Sequence, residues 1–188
     1  MSNSSLAPVE YQVGVYLRRF SVYYPGIDGW YSKVLREPRL RSIWALTVGG
    51  VVAGVAITKH QSHAKLCHVS LDESARAQGL GLVLMRRAIG ELLDRGARRV
   101  HVTTGEEIGG QFGDFFARCG FSLTGFDKSR YRRGADELVW SGHRNTFERI
   151  LLNDDRSNRR LSDGPKLNHV RLATICTRVA GLVSPRLP

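Results

Sequence analysis

The spacing of apolar and polar residues divides the chain into short elements. Residues 10 to 20, EYQVGVYLRRF, read as opening with a short strand, and Tyr23-Tyr24-Pro25-Gly26 follows as a turn. Asp28 is placed to cap a helix, and WYSKVLRE after it carries helical spacing through Trp30, Val34 and Leu35. In SIWALTVGGVVAGVAITKHQ two β-rich runs flank Gly49-Gly50, a hairpin signal. KLCHVSLD, residues 65 to 72, is a further strand leading into a glycine-containing stretch. From Leu82 the apolar positions Leu82, Met85, Ile89 and Leu92 step by three, four and three, the seam of an amphipathic helix ending at Arg95-Gly96. RRVHVTT reads as a strand, GGQFGDFFARCGF as a short helix closed by Gly120, and SLTGF and ELVW as strands joined by a turn at Arg133-Gly134.

This order predicts an α/β (α+β) architecture: a mixed, mostly antiparallel sheet of about six to seven strands flanked by helices. Composition shifts after Gly142, where nine Lys or Arg face four acids in the last 47 residues. The expected division is a globular domain over 1–141 and a basic extension over 142–188. Within the extension NDDRSNRRLSDGPK reads as a linker. The run after it is apolar at 167, 170, 172, 175, 179 and 182, which predicts a final docking helix.

Charge sharpens the picture. Twenty-eight Lys and Arg against seventeen Asp and Glu give a net charge of +11, a field that attracts polyanions or a phosphorylated cofactor. No apolar run approaches the roughly 20 residues needed to span a bilayer, and the N-terminus lacks a signal-peptide pattern. Three scattered cysteines fit a reducing cytoplasm, and no histidine cluster has metal-ligand spacing. The expectation is a cytoplasmic protein with no metal and no membrane association.

The chemistry concentrates in ARAQGLGLVLMRRAIGELL, residues 75 to 93. A strand running into R-x-x-G-x-G and then a helix presents free backbone N–H groups at a helix N-terminus, where the macrodipole adds roughly half a positive charge. Glycine lets a phosphate approach without meeting a Cβ. A P-loop would need Gly-Lys-Ser/Thr, yet Leu82-Val83 follow Gly81. A dinucleotide fingerprint wants a third small residue where Leu84 stands, and an acidic residue ending a second parallel strand.

Arg76-Ala77-Gln78-Gly79-Leu80-Gly81 resembles the pyrophosphate loop of the GNAT superfamily of acetyltransferases, Q/R-x-x-G-x-G/A. KLCHVSLD falls where the fourth strand of that fold would lie and RRVHVTT where the fifth would. FFARCGF resembles the family's FYxxxGF element, and the SLTGF and ELVW strands resemble its closing hairpin. The resemblance covers about residues 10 to 141. It implies acetyl-CoA as co-substrate, cradled by Arg76, Ala77, Gln78, Gly79, Leu80 and Gly81. It further implies that Val69 and Leu71 pair their backbone groups with the pantetheine arm, and that a bulge there aims an N–H at the thioester carbonyl.

Acyl transfer to an amine needs a neutral nucleophile, a base, and departure of the thiolate. His60, His68, Asp72 and Glu73 lie on or near the cofactor strand; Glu106 and Glu107 follow the next one and read as substrate-facing acids. Asp72 and Glu73 read rather as capping or orienting the loop, and the two histidines as ordinary strand residues. The resemblance places a tyrosine near the sulfur, but Phe116 stands at that position; Tyr131 is the alternative. A thiol, with a reference pKa near 8.5, leaves tolerably without a proton donor. The family's asparagine, seven residues before that tyrosine, is replaced by Gly109. The acceptor is expected to be a small-molecule, peptide or aminoacyl-tRNA amine, the last suiting RNA contact through the basic surface. A GNAT-fold binding module, and a homodimer built through the tail, stay open as alternatives.

Overall fold

In the computed structural model, residues 8–61, 63–132, 135–158 and 170–175 are described. Helices α1 (Val9–Arg18) and α2 (Ile27–Arg36) precede a hairpin of β1 (Arg41–Val48) and β2 (Val51–Lys59). Then come β3 (Ala64–Leu71), a 3-10 turn (Glu73–Ala75), α3 (Leu80–Asp94), β4 (Arg99–Gly105) and α4 (Glu106–Arg118). Strands β5 (Ser122–Arg132) and β6 (Ala135–His143), helix α5 (Arg144–Asn158) and β7 (Val170–Ile175) complete the chain. The seven strands form one sheet in the order β5-β6-β4-β3-β2-β1-β7. Every neighbouring pair is antiparallel except β3 and β4. No helix among the described residues is long and apolar enough to cross a membrane.

Two apolar layers sandwich the sheet. On one face Val13, Tyr16 and Leu17 of α1 and Ile27, Tyr31 and Val34 of α2 pack on Ile43, Ala45, Val55 and Ile57. On the other, α3 turns Leu84, Met85, Ala88, Ile89 and Leu92 inward, all at most 2% exposed. Side chains of this size, fully buried, each contribute roughly 1.5–3 kcal/mol through the hydrophobic effect. A polar clamp fixes the C-terminal half of α3 to the sheet: Glu91 accepts hydrogen bonds from Ser42 Oγ (2.6 Å), Trp44 Nε1 (2.8 Å) and Arg95 Nε (3.1 Å). His60 Nε2 lies 2.8 Å from the same Ser42 hydroxyl. This network engages His60 through Nε2 only, and its buried Nδ1 has no hydrogen-bond partner among the described residues.

Four expectations need correction. Asp28 does not cap α2: Gly26 holds the N-cap position with no side-chain cap bond, and Asp28 lies in the first turn. Residues 9–18 form a helix, not a strand: Val13, Tyr16 and Leu17 are the buried set, spaced three and one apart, while Tyr11 and Val15 face outward. Tyr31 of α2 lies so close to Gly14 that an added Cβ would stand 3.3 Å from its ring, a helix–helix contact that local sequence does not encode. Residues 170–175, inside the expected final helix, form β7, which supplies β1 with an antiparallel edge partner from Ile43↔Ile175 to Val48↔Val170. The remainder of that expected helix lies outside the described residues. The expected linker begins within α5, whose Phe147 is buried against Phe121 with ring centroids 5.0 Å apart. Arg144 fastens the start of α5, donating to Ala97 O at 3.2 Å and to Leu93 O.

Candidate active site

The sheet opens between β3 and β4. Their parallel pairing covers only Ala64↔Val100, Lys65↔His101 and Leu66↔Val102, after which the strands part. From Cys67 onward β3 is paired on one side only, with β2. Asp72 N–H donates to Ala53 O at 2.7 Å, toward β2. Antiparallel backbone groups alternate in direction, so Ser70 also bonds toward β2, and the N–H and C=O of Val69 and Leu71 point into the gap. These are the two residues that the family resemblance implies would pair with a pantetheine arm.

A β-bulge lies where the gap begins. Ile57 opposes His68 and Thr58 opposes Leu66, leaving Cys67 as an extra residue. Its consequence shows in the packing. Leu66, Val69 and Leu71 join the α3 layer, whereas Cys67 and His68 both face the α1/α2 layer. Strict alternation would have sent Cys67 and His68 to opposite faces.

At the end of β3 the chain turns through Glu73–Ala75 into the glycine loop. Ala77 has φ 60° and Gly79 φ 75°, two left-handed residues around Gln78. A left-handed alanine costs roughly 1–2 kcal/mol, and strain of this kind concentrates at functional sites. Gln78 Nε2 ties the loop down by donating to Ser74 O at 3.0 Å. An added Cβ at Gly79 would meet nothing within 4 Å, so the space beyond it is open. Leu82 and Val83 N–H both return to Gly79 O. The N–H groups of Ala77 to Gly81 therefore have no backbone acceptor among the described residues, and α3 has no acidic residue in its first turn. Arg76 reaches back to Leu71 O at 3.3 Å, which puts a guanidinium at the mouth of the gap. Loop, strand edge and arginine together fit a long ligand with a diphosphate at one end.

The opposite face of β3 carries His68 and Ser70, Nε2 to Oγ 2.8 Å. Phe20 meets the imidazole edge-on at 5.3 Å between centroids, and Trp30 lies at 6.4 Å. Burial pushes the His68 pKa down to about 4, so the ring is neutral at neutral pH. Beside Ser70 the Tyr16 phenol is buried, and its oxygen lacks a hydrogen-bond partner of good geometry. Burial raises its pKa; the Ser70 hydroxyl, committed to His68 at 2.8 Å, offsets this only in part. Asp72 accepts from Arg19 Nη1 at 2.6 Å, and that guanidinium holds the carboxyl below the usual range. Asp72 thus ties the end of β3 to Arg19 beyond α1, and its side chain makes no cap hydrogen bond to the turn that follows. Burial pushes the Cys67 thiol up, leaving it protonated and a poor nucleophile.

Glu106 is exposed at the start of α4, and the side chains of Glu107 and Tyr131 lie outside the described residues. Phe116 is 2% exposed and packs on Trp140 and Phe121 in the core, while Phe115 covers Gly81. Gly109 has no room for a side chain: an added Cβ would collide with Leu138 and stand 2.8 Å from Thr104 Oγ1. The absent asparagine thus has a steric cause, because α4 lies directly on β4 and β6. The α1/α2 contribution — Tyr16, Phe20 and Trp30 — was not visible as a site in the sequence, since these residues read as ordinary apolar positions.

Comparison with known proteins bears on the family and the fold. The family model described as "Acetyltransferase (GNAT) family" matches residues 10–121. An aminoglycoside 6'-acetyltransferase type Ii superposes with a TM-score of 0.59 at 15% identity, over 76% of this chain and 92% of that one. An aminoglycoside 6'-N-acetyltransferase complexed with coenzyme A gives 0.58 at 12% identity, over 76% and 95%. A GNAT family acetyltransferase from Elizabethkingia anophelis with acetyl-CoA bound gives 0.52 at 14% identity, over 61% and 82%. At these identities the structural likeness establishes the fold. No curated protein matches the chain.

Proposed function

Because the chain belongs to the GNAT family of acetyltransferases, we propose that it moves an acetyl group from acetyl-CoA to a primary amine. The observation that carries this reading is the continuity of the Ala77 to Gly81 N–H groups, which have no backbone acceptor among the described residues, with the edge of β3 at Val69 and Leu71. The loop amides and Arg76 bind the diphosphate, and the Val69 and Leu71 backbone groups pair with the pantetheine arm. When bound, the co-substrate supplies an activated thioester. The Cys67 bulge turns the strand edge so that an N–H faces the acyl oxygen, where it stabilises developing negative charge.

On the α1/α2 side His68 faces the incoming amine. Its neutral imidazole, bonded to Ser70, is ready to accept the proton the amine gives up. Glu106, Glu107 and Tyr131 remain candidate groups on the acceptor side. The net charge of +11 favours a second reading of the acceptor as an amine carried on a polyanion such as aminoacyl-tRNA, which predicts binding that weakens steeply with salt. The primary test is calorimetric titration with acetyl-CoA beside an assay of thiol release with added amines. Saturable binding with amine-dependent thiol release is expected; absence of binding would contradict the proposal.

A further inference from the structure

We infer that the groove between α1 and the start of β2 is a second ligand site, which takes a small carboxylic acid carried on a single apolar ring. The site lies on the α1 side of the sheet and stands independently of acetyl transfer. A cavity of about 170 Å³ opens there. From α1, Tyr11, Gln12, Val15, Tyr16 and Arg19 step by one, three, one and three and so share one stripe of the helix. Val51 and Val52 of β2 close the other side.

Tyr16 and Val52, 3% and 4% exposed, form the floor, and Gln12 joins the two walls by accepting from Val52 N–H at 3.3 Å. At the rim Tyr11, Val15 and Val51 are 62%, 43% and 59% exposed. Single exposed apolar residues are ordinary, but three around one cavity over a buried aromatic floor make a binding surface. A void of about this size holds one benzene-sized ring. It is smaller than the roughly 300 Å³ at which sites for larger ligands begin.

Charge decides what the ring carries. Arg19 is the one charged residue lining the cavity. Its guanidinium carbon stands 5.4 Å from the centre of the Tyr16 ring, which puts it at the end of the floor. Nη1 donates to Asp72 at 2.6 Å, and the rest of the fork meets no acceptor among the described residues. Glu10 leaves the helix about 100° from Tyr11, on the side away from Gln12, Val15 and Arg19. Glu73 lies in the turn beyond Asp72, and neither glutamate lines the cavity. An entering anion therefore meets a guanidinium with spare donors, in a protein at +11. Because Asp72 already answers part of that charge, a monoanionic carboxylate matches the remainder better than a phosphate dianion. An ammonium on the same ring would meet the guanidinium and no counter-charge within the cavity.

The experiment titrates the whole chain, 15N-labelled and assigned, with 3-phenylpropionate and separately with 3-phenylpropylamine. Saturable 15N–1H shifts are expected at Tyr11 to Arg19 and at Val51 and Val52. The acid should bind with a Kd of about 1 mM and the amine at least about tenfold more weakly. Acetyl-CoA, added first, should leave the acid's affinity within about twofold. Arg19→Gln is expected to weaken the acid about tenfold and leave the amine unchanged. Val15→Trp, at an exposed position, should fill the cavity and abolish binding of both, and it carries the test if Arg19→Gln fails to fold. Absence of saturable shifts at these residues, an amine bound as tightly as the acid, displacement by acetyl-CoA, or undiminished binding to Val15→Trp overturns the inference. Each of these outcomes leaves acetyl transfer standing.

Discussion

Two helices start from glycine-rich sequence, and they use their glycines in opposite ways. At the start of α3, Gly79 adopts φ 75° beside open space, and the first turn holds no acid. At the start of α4, Glu106 and Glu107 occupy the first two positions, and Gly109 is pressed against Leu138 and Thr104. The first arrangement leaves a positive helix end with nothing to neutralise it; the second fills its own end with carboxylates and its own space with core. Glycine spacing marks both starts alike. On the proposed reading, what separates an anion site at α3 from a packing contact at α4 is the empty volume and the absence of an acid in the first turn.

Substitutions at the two starts separate their roles. Gly79→Glu forces a side chain into the left-handed region and places an anion where the diphosphate should sit. It is expected to weaken acetyl-CoA binding by about 100-fold or more in calorimetry, with the far-UV circular dichroism of the wild type retained. His68→Gln leaves the loop intact; kcat should fall by about 100-fold, within the range of a lost general base, with Kd for acetyl-CoA unchanged. Gly109→Ala tests the packing start. Overpacking of this kind costs about 1–3 kcal/mol, so Tm should fall while acetyl-CoA affinity stays within about threefold. Arg76→Ala, at an exposed position, should weaken binding only about three- to tenfold, and less in high salt.

His68 also predicts a pH signature. Its folded pKa, about 4, lies below the reference value of 6.5, so between these the unfolded chain binds more protons. Stability should be full above pH 6.5 and decline as the pH falls toward 4, by on the order of 3 kcal/mol at the lower limit. A Tm-against-pH series in which His68→Gln shows the same decline would remove His68 as its source.

Much of the scaffold was legible because local rules and tertiary packing agree there. The Gly49-Gly50 hairpin, the strand into the loop and the seam of α3 through Met85, Ile89 and Leu92 all appear where periodicity put them. Helix α1 was not legible. Its alternating Tyr11, Val13, Val15 and Leu17 mimic a strand, and only packing against α2 and β2 selects the helix. The edge that an N-terminal strand would have filled is taken by β7 from the far end of the chain, a long-range choice no local pattern reveals.

The site divides the same way. Val69 and Leu71 came from the family resemblance, and the loop from its glycines and that resemblance together. His68 required the bulge at Cys67. Leu66 and Val69, three apart, share a face in the fold, which alternation forbids without an inserted residue, and no local pattern in the sequence announces that insertion. Gly109 reads as a lost asparagine until the contact with Leu138 shows why no side chain can stand there.

The most direct test follows the backbone amides by 15N–1H correlation NMR as acetyl-CoA is added to the assigned protein. The largest shifts are expected at Ala77 to Gly81, with Val69 and Leu71 following and Gly105 to Gly110 nearly unmoved. Large shifts at the start of α4 with a silent Ala77–Gly81 loop would contradict the assignment of the diphosphate to α3.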